Sequence, residues 1–429
     1  MRRSKLLRAM PMAAMLLLTA AGGVLPAAAI AADAQPYAGQ TITVILPPWG
    51  TLPKALLDDF TAKTGVNVDL QTLGWDDIRT KIVTSMVAGT APADVTDVDW
   101  SWVGQFAAAN WYLPLNDVVA KDVLSDLPAA PNFTVDGKLV AVPYNNDFRI
   151  LIVNGAHLKA AGITSLPKTP DELLTAARAI KAKGIATYPL ALPLSASEGT
   201  STAWYLLTKA FGGDLFNKDM QPAFTDPQSG GYKALAFELQ ALKEGLIDPA
   251  MTGMTDVQLQ QLFADGKVSI DLAGWAGNPS VYADKSKSKV ADAVATGLVP
   301  NVSGKSRSYA LPEGLGIPIS APHKEAARLF VAWWTQPDTQ QAVYAALGDL
   351  PTLTSALQAL NKEGKLVGGD TLLAQTPFLE PLFPAGAPAW YAEFSSAVST
   401  TINQAAKGQL GLEEAIAAIA KGAREAMEP

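Results

Sequence analysis

The chain has 429 residues, 33 Lys and Arg against 40 Asp and Glu, a net charge of -7, two histidines and no cysteine. That length supports two domains with separate cores, and an acidic balance without a basic stripe excludes nucleic acid, which needs clustered cations to displace counterions. Without cysteine there is no disulfide, no lipid-anchoring thiol and no thiol nucleophile, and two isolated histidines make no zinc site, so no metal or cofactor is expected.

The N-terminal stretch MRRSKLLRAMPMAAMLLLTAAGGVLPAAAIAADA has a basic start, an apolar run and small residues at several cleavage points, Ala29, Ala31 and Ala34 among them. Residues 1–32 therefore read as a secretory signal peptide rather than a structural helix. Arg2 and Arg3 raise the twin-arginine route, but no full motif surrounds them and general secretion is expected. No later segment reaches the ~18 uninterrupted apolar residues that would cross a bilayer. An exported chain with no lipid anchor stays with its cell only inside an outer membrane, so the periplasm is the expected location.

In the mature chain, Thr41 to Leu46 is a short continuous β-branched run that predicts a buried parallel strand, stopped by Pro47 and Pro48, with Trp49 and Gly50 at its carboxyl end. Open α/β sheets bind ligands at that edge. A helix follows with Leu52, Leu56 and Phe60 on one face and Gly65 as its C-cap. Val66 to Thr72 predicts a second strand, after which Trp75, Asp76 and Asp77 open a helix whose core face is Ile78, Ile82 and Met86. This alternation implies a doubly wound lobe. In DVTDVDWSW, Val95 and Val98 are strand-like, which puts Asp99, Trp100, Ser101 and Trp102 at the ligand edge; Trp102 reads as packing under the next helix with Phe106. In LVAVPYNNDFR, Asn145, Asn146 and Asp147 lie where the chain passes onward, either as ligand contacts or as ordinary turn formers. Arg149 pairs with Asp147 or with a ligand.

Thr169 to Lys183 predicts a helix with Thr169 as N-cap, Pro170 at its first position and Glu172 completing a capping box. Thr187 to Leu192 predicts a strand, and SASEGTSTAWYLL then starts a helix carrying Trp204 and Tyr205 in its first turns, with Glu198 as a polar candidate from the same loop. A Trp on an amphipathic helix is as often core as exposed. Next, FADGKVSIDLAGWA reads as a helix end at Gly266, a short buried strand (Val268, Ile270, Leu272) and a Gly-rich turn exposing Trp275. A polar crossing segment, Tyr282 to Asp292, leads to a second Gly-rich turn at Glu313 to Gly316. Ala326, Phe330 and Trp333 share a helical face, so Trp333 and Trp334 read as structural, and neither His157 nor His323 receives a role.

FADGKVSIDLAGWA, followed some forty residues later by YALPEGLGIPISAPHKEAARLFVAWWT, resembles the extracellular solute-binding protein family 1, the sugar-binding components of ABC importers. LVAVPYNNDFR with ILIVN and the C-terminal PAWYAEFSSAVSTTINQAAKGQLGLEEAIAAIAKGARE extend the resemblance. It implies an α/β periplasmic-binding-protein type II fold, two doubly wound lobes joined by hinge crossings near Asp147, Leu298 and Leu350. The expected lobes are 33–147 with 299–350, and 148–298 with 351–429. It also implies that Asp99 and Trp100 face the cleft, that Trp204 is a candidate contact, and that Trp390 occupies a position whose ring commonly stacks on sugar, supported by Phe383, Pro384 and Pro388. The implied partners are permease subunits in the inner membrane, with the chain itself a monomer.

Carbohydrates offer CH-rich ring faces and a rim of hydroxyls, which indole rings and carboxylate or amide groups respectively suit. Trp49, Trp75, Trp100, Trp204, Trp275 and Trp390 are the candidate ring contacts; Asp76, Asp99, Asn145, Asp147 and Glu313 are the polar ones. Two alternatives stay open. A glycoside-active enzyme would need a carboxylate pair at catalytic separation, which nothing in the sequence fixes. A noncarbohydrate solute would need either several basic residues for phosphate, where only Arg149 and Arg307 are plausible, or more carboxylates around the aromatics for a polyamine.

Overall fold

The computed structural model describes residues 35–383 and 386–428. The signal-peptide reading and Pro384 fall outside the described residues.

Hydrophobic runs too short for helices build two sheets. The larger has five strands in the order Asn67–Thr72, Thr41–Leu46, Val95–Asp99, Glu313–Gly316 and Val142–Asn145. Its first three strands are parallel, and Glu313–Gly316 runs antiparallel to both of its neighbours. Ile42, Val44, Ile45 and Leu46 are all fully buried, as a strand covered on both faces requires. The helices on this sheet follow the predicted faces: Lys54–Thr64 buries Phe60 and ends on Gly65 in the left-handed region at φ 73, and Trp75–Val87 buries Ile78, Ile82 and Met86. The smaller sheet has four strands, Val294–Gly297, Leu151–Asn154, Ile270–Asp271 and Leu190–Ala191. Helices Glu198–Ala210, Tyr391–Ala406 and Leu412–Met427 pack together beside it.

The chain crosses between the sheets from Asn145 to Leu151 and returns between Gly297 and Glu313. The two passages are tied together: Phe148 bridges to Ala310, and the Leu311 amide donates to the Asp147 carbonyl at 2.7 Å. Residues near Leu350 join them, since the Leu350 carbonyl accepts from the Asn146 amide at 3.0 Å and Thr352 Oγ1 donates to the Pro143 carbonyl at 3.0 Å.

Four local expectations are corrected. Glu313 to Gly316 is no turn but a fully buried central strand, and its glycines are spaces for rings. A Cβ on Gly316 would lie 2.6 Å from the Tyr112 ring and 2.7 Å from Val98, and one on Gly314 would lie 2.9 Å from the Phe133 ring. The segment after Trp275 begins as a helix, Asn278–Ala283, in which Tyr282 is completely buried and stacks on Phe263 at 4.3 Å. The strand expected over Thr187 to Leu192 shortens to Leu190–Ala191, between Pro189 and Pro193. Thr169 does cap the Glu172 amide, but the Glu172 carboxylate takes the Lys168 amide at 2.7 Å instead of closing a box on Thr169.

Because Gly316 is filled by a neighbour's ring, Gly316→Ala should destabilise the protein by about 1–3 kcal/mol through overpacking. Gly253→Ala, with open space around its Cβ, should be nearly neutral. Urea unfolding of both variants measures the contrast, and equal stabilities would contradict this account of the strand.

Candidate functional site

Strand ends of both sheets meet in one gap. From the five-stranded sheet come Trp49, just after Thr41–Leu46, the Asp99 to Trp102 segment after Val95–Asp99, and Asn145 at the end of its own strand. Glu313 starts an antiparallel strand, so it sits at the same edge, paired with Asp99 on one side and Asn145 on the other. From the four-stranded sheet come Trp275, in the turn after Ile270–Asp271, and Glu198, at the head of its helix.

Glu313 organises the first wall. Its carboxylate accepts from Trp49 Nε1 at 2.9 and 2.8 Å, from Asn145 Nδ2 at 3.0 Å and from the Tyr144 hydroxyl at 3.2 Å. The indole held this way faces Trp275 from the other sheet, with ring centroids 6.3 Å apart and planes inclined by 37°. A second aromatic pair also spans the gap: Trp100 lies 4.8 Å from Tyr391, the first residue of its helix. The Tyr391 hydroxyl donates to Glu198, and Ser395 Oγ donates to the same carboxylate at 2.6 Å. At a third point Gly104 approaches the backbone of the opposite side, where a Cβ would lie 2.0 Å from the Ala387 carbonyl oxygen. Beneath Trp275, a cavity of about 20 Å³ is lined by Arg149, Thr202, Asp256, Asp271 and Asn278. That is room for a water.

The gap is rich in buried acids. Burial pushes Glu313 up to about 8, helped by the charge of Asp99, while its donors Asn145 and Trp49 pull the other way. Burial likewise raises Asp99 to about 6, Glu198 to about 7 and Asp349 to about 7. Asp97, completely buried next to Glu313 and Asp99, is raised well above the carboxylate range for the same two reasons, desolvation first and like charge second. Asp147 is also raised by burial, although Arg149 opposes the shift through a 2.5 Å ion pair.

The structure places the predicted residues unevenly. Trp49, Trp100, Trp275, Asp99, Asn145, Asp147 and Glu313 come together in the gap; Asp99 spends one oxygen on capping the Ser101 amide at 2.8 Å. Trp75 is half-buried at the same edge, its ring 4.8 Å from that of Trp102 with planes inclined by 47°, and Asp76 beside it is exposed. Trp102 packs on Phe106, its centroid 5.9 Å away. Trp204 is corrected: it is fully buried, its Nε1 donates to the Gly231 carbonyl at 2.9 Å and its ring meets Phe224 edge-on, so helix packing has taken it away from any solute. Trp390 is half-buried among Phe216, Phe383 and Phe394, and the next residue, Tyr391, is the one that crosses the gap. Arg307 is bound to Glu380 at 2.7 Å and Asp214 at 2.8 Å, so its charge is already answered. Sequence reasoning missed Tyr391, Asp256 and Asp349. The first sat one position from the candidate chosen, and the other two carried no motif.

Residues 47–341 match the sequence pattern of the bacterial extracellular solute-binding proteins. The chain belongs to this family. Among its relatives is a probable amino-acid ABC transporter periplasmic-binding protein of Sinorhizobium fredii, 25% identical over 338 residues, which are 74% of this chain and 75% of that one. The mannitol-binding protein of Pseudomonas aeruginosa is 29% identical over 267 residues, 60% of this chain and 59% of that one. Among solved structures, an ABC transporter solute-binding protein from Thermotoga lettingae bound to α-D-tagatose superimposes with a TM-score of 0.80 at 25% identity, covering 91% of this chain and 100% of that one. The fold is thus the type II periplasmic-binding-protein fold, two α/β lobes joined by hinge crossings. Membership of this extracellular family places the protein outside the cytoplasm, and among the described residues no helix is long and apolar enough to cross a membrane.

The raised carboxylates set a pH dependence. Because Glu313, Glu198, Asp349 and Asp99 hold protons when folded at a pH where the unfolded chain has lost them, the folded state binds more protons between about pH 4.5 and 8, and stability falls as pH rises through that window. Glu244 and Glu380, held down to about 2 by their ion pairs, titrate below it. The apparent Tm of the solute-binding protein should therefore drop from about pH 5.5 to about 8.5, and Glu313→Gln should flatten the drop. A profile that is flat or rises in the native protein would contradict the buried-acid picture.

Proposed function

We propose that this chain is the capture component of an ABC importer for a carbohydrate, whether a sugar, an oligosaccharide or a sugar alcohol. The observation that carries this reading is the meeting of Trp49 and Trp275 from opposite lobes above a gap lined with oxygen and amide groups. Indole faces cover the CH-rich side of a sugar ring, while carboxylates and amides bond its hydroxyls; a site built to pair with hydroxyls also rejects analogues that lack them. The sugar alcohol named for the Pseudomonas aeruginosa relative and the ketose in the Thermotoga lettingae structure support the same class.

The action is closure followed by release, with no bond made or broken. The solute contacts both lobes, divided near 147, 298 and 350, and so stabilises the closed arrangement. The closed form then docks on permease subunits of the inner membrane, where reopening hands the solute over. The working location is the periplasm, reached through a cleaved signal peptide, and the working unit is the monomer. Within the gap, Trp49, Trp275 and Trp100 supply ring faces, and Asp99, Asn145 and Asp147 supply polar contacts. Glu313 acts by holding Trp49 in place.

Thermal-shift and calorimetric screening of the purified chain against mono-, di- and oligosaccharides and alditols tests the reading, because a solute that binds only the folded state raises its apparent stability. One molecule should be retained per chain without turnover. Trp49→Ala and Trp275→Ala should each weaken binding at least about tenfold, roughly 1.4 kcal/mol. Turnover of a glycan, or no response to any sugar or alditol, would defeat the assignment. Closure has its own check: Gly104→Val should prop the lobes apart, raising the ligand-bound radius of gyration in X-ray scattering and lowering affinity, whereas an unchanged radius would show that Gly104 is not a closure contact.

A further inference from the structure

The interlobe gap has acceptors that nothing in the protein satisfies. Asp147 Oδ1, Asp349 Oδ2, Asp256 Oδ1 and both oxygens of Asp97 each expose less than 1 Å² and lack a well-aligned donor, although the Ala276 amide, bonded to the Phe148 carbonyl at 2.9 Å, lies near Asp147 and the Tyr144 hydroxyl lies near Asp97. Native proteins leave few buried acceptors in this condition, and each costs its full desolvation. Asp147 and Asp349 flank the point where the Asn146 amide donates to the Leu350 carbonyl at 3.0 Å, Asp147 bears electrostatically on both Asp349 and Asp256, and Asp97 is completely buried two residues before Asp99 on the same strand. The nearby positive charge is Arg149, and its Nη1 is already paired with the second oxygen of Asp147. Among the described residues no three acidic or histidine side chains converge well enough to hold a metal ion. A neutral hydroxyl would donate one hydrogen; an ammonium group brings three donors and a positive charge that favours the ionised form of acids that burial otherwise keeps protonated, and the facing Trp49 and Trp275 rings add an attraction for cations.

We propose that the solute carries a protonated amine, as an aminated sugar or alditol does, and that its ammonium group is held by the open oxygens of Asp147 and Asp349. This rests on the carbohydrate reading and narrows it.

The test compares matched pairs by calorimetry on the full mature chain: D-glucitol against 1-amino-1-deoxy-D-glucitol, and D-glucose against D-glucosamine, with spermidine as an amine without hydroxyls. At least one aminated member should bind about tenfold or more tightly than its neutral parent. Asp349→Asn should erase that preference, narrowing the ratio of amine to neutral affinity to about one, and Asp349→Glu should restore it. Should Asp349→Asn fail to fold, the pairwise comparison on the native chain still decides. If neutral parents bind as tightly as their amines, or nothing in the set binds, the ammonium site is overturned, and tight neutral binding would leave the carbohydrate reading standing. If spermidine binds and no sugar or alditol does, the ammonium site stands and the carbohydrate reading falls.

Discussion

The Glu313 carboxylate is the interaction on which the ligand edge of the first lobe depends. It lies almost fully buried at the start of a central strand and gathers donors from Trp49, Tyr144 and Asn145, so one group ties the segment after Thr41–Leu46 to the end of Val142–Asn145. An acid buried this deeply is expensive unless its lone pairs are filled. Here the donors are supplied by the residues whose orientation the site needs. The Trp49 indole, clamped through its Nε1, has no freedom to fold back on its own lobe, and its face is left for Trp275.

Closure of the gap requires that the two backbones come close as well as the rings. Gly104 opposite the Ala387 carbonyl is one such place, and the crossings themselves are another. The Arg149 carbonyl accepts from Ser308 Oγ at 3.1 Å, the Arg149 backbone bridges to Trp275, and its guanidinium reaches Asp147. The ion pair therefore stands where the outgoing and returning passages run side by side, next to the Trp275 turn. A rotation of the lobes about these strands would move Trp275 relative to Trp49 and leave the Arg149 to Asp147 contact, internal to one passage, intact. Few residues need to change their backbone angles, which is the usual economy of a hinge.

Much of this architecture is legible in the chain because local periodicity and burial agree there. TITVIL is read as a buried strand and is one. The Ile78, Ile82 and Met86 face and the Gly65 cap need no tertiary information. Trp275 is legible for the opposite reason, a large ring in a Gly-rich turn with no local core to fill. The failures that bear on the gap share one cause, that a side chain's partner lies outside its own segment. Gly314 and Gly316 look like turn residues until the rings of Phe133 and Tyr112 fill the places of their side chains. Trp204 looks like a ligand platform until Phe224 and the Gly231 carbonyl claim it. Trp390 and Tyr391 are adjacent aromatics on a helix start, and only the packing of Phe216 and Phe394 decides which of them turns inward. Asp349 follows a C-cap glycine in an ordinary helix-ending sequence, and its burial comes from the crossing that returns beside it.

The same acids that line the gap also work against its closed form. With Asp99, Asp147, Glu198, Glu313 and Asp349 drawn from water together, the empty closed arrangement carries a cost that opening would relieve by rehydration. A solute that fills the unsatisfied oxygens removes that cost only when both lobes engage it, so its differential affinity for the closed form is large even where its total contact area is small. That differential, rather than overall tightness, is what shifts a two-state equilibrium. Aromatic pairs alone would favour closure with or without cargo, since Trp49 already reaches Trp275 and Trp100 already reaches Tyr391. The buried carboxylates supply the opposing term, and the balance between the two makes closure conditional on cargo.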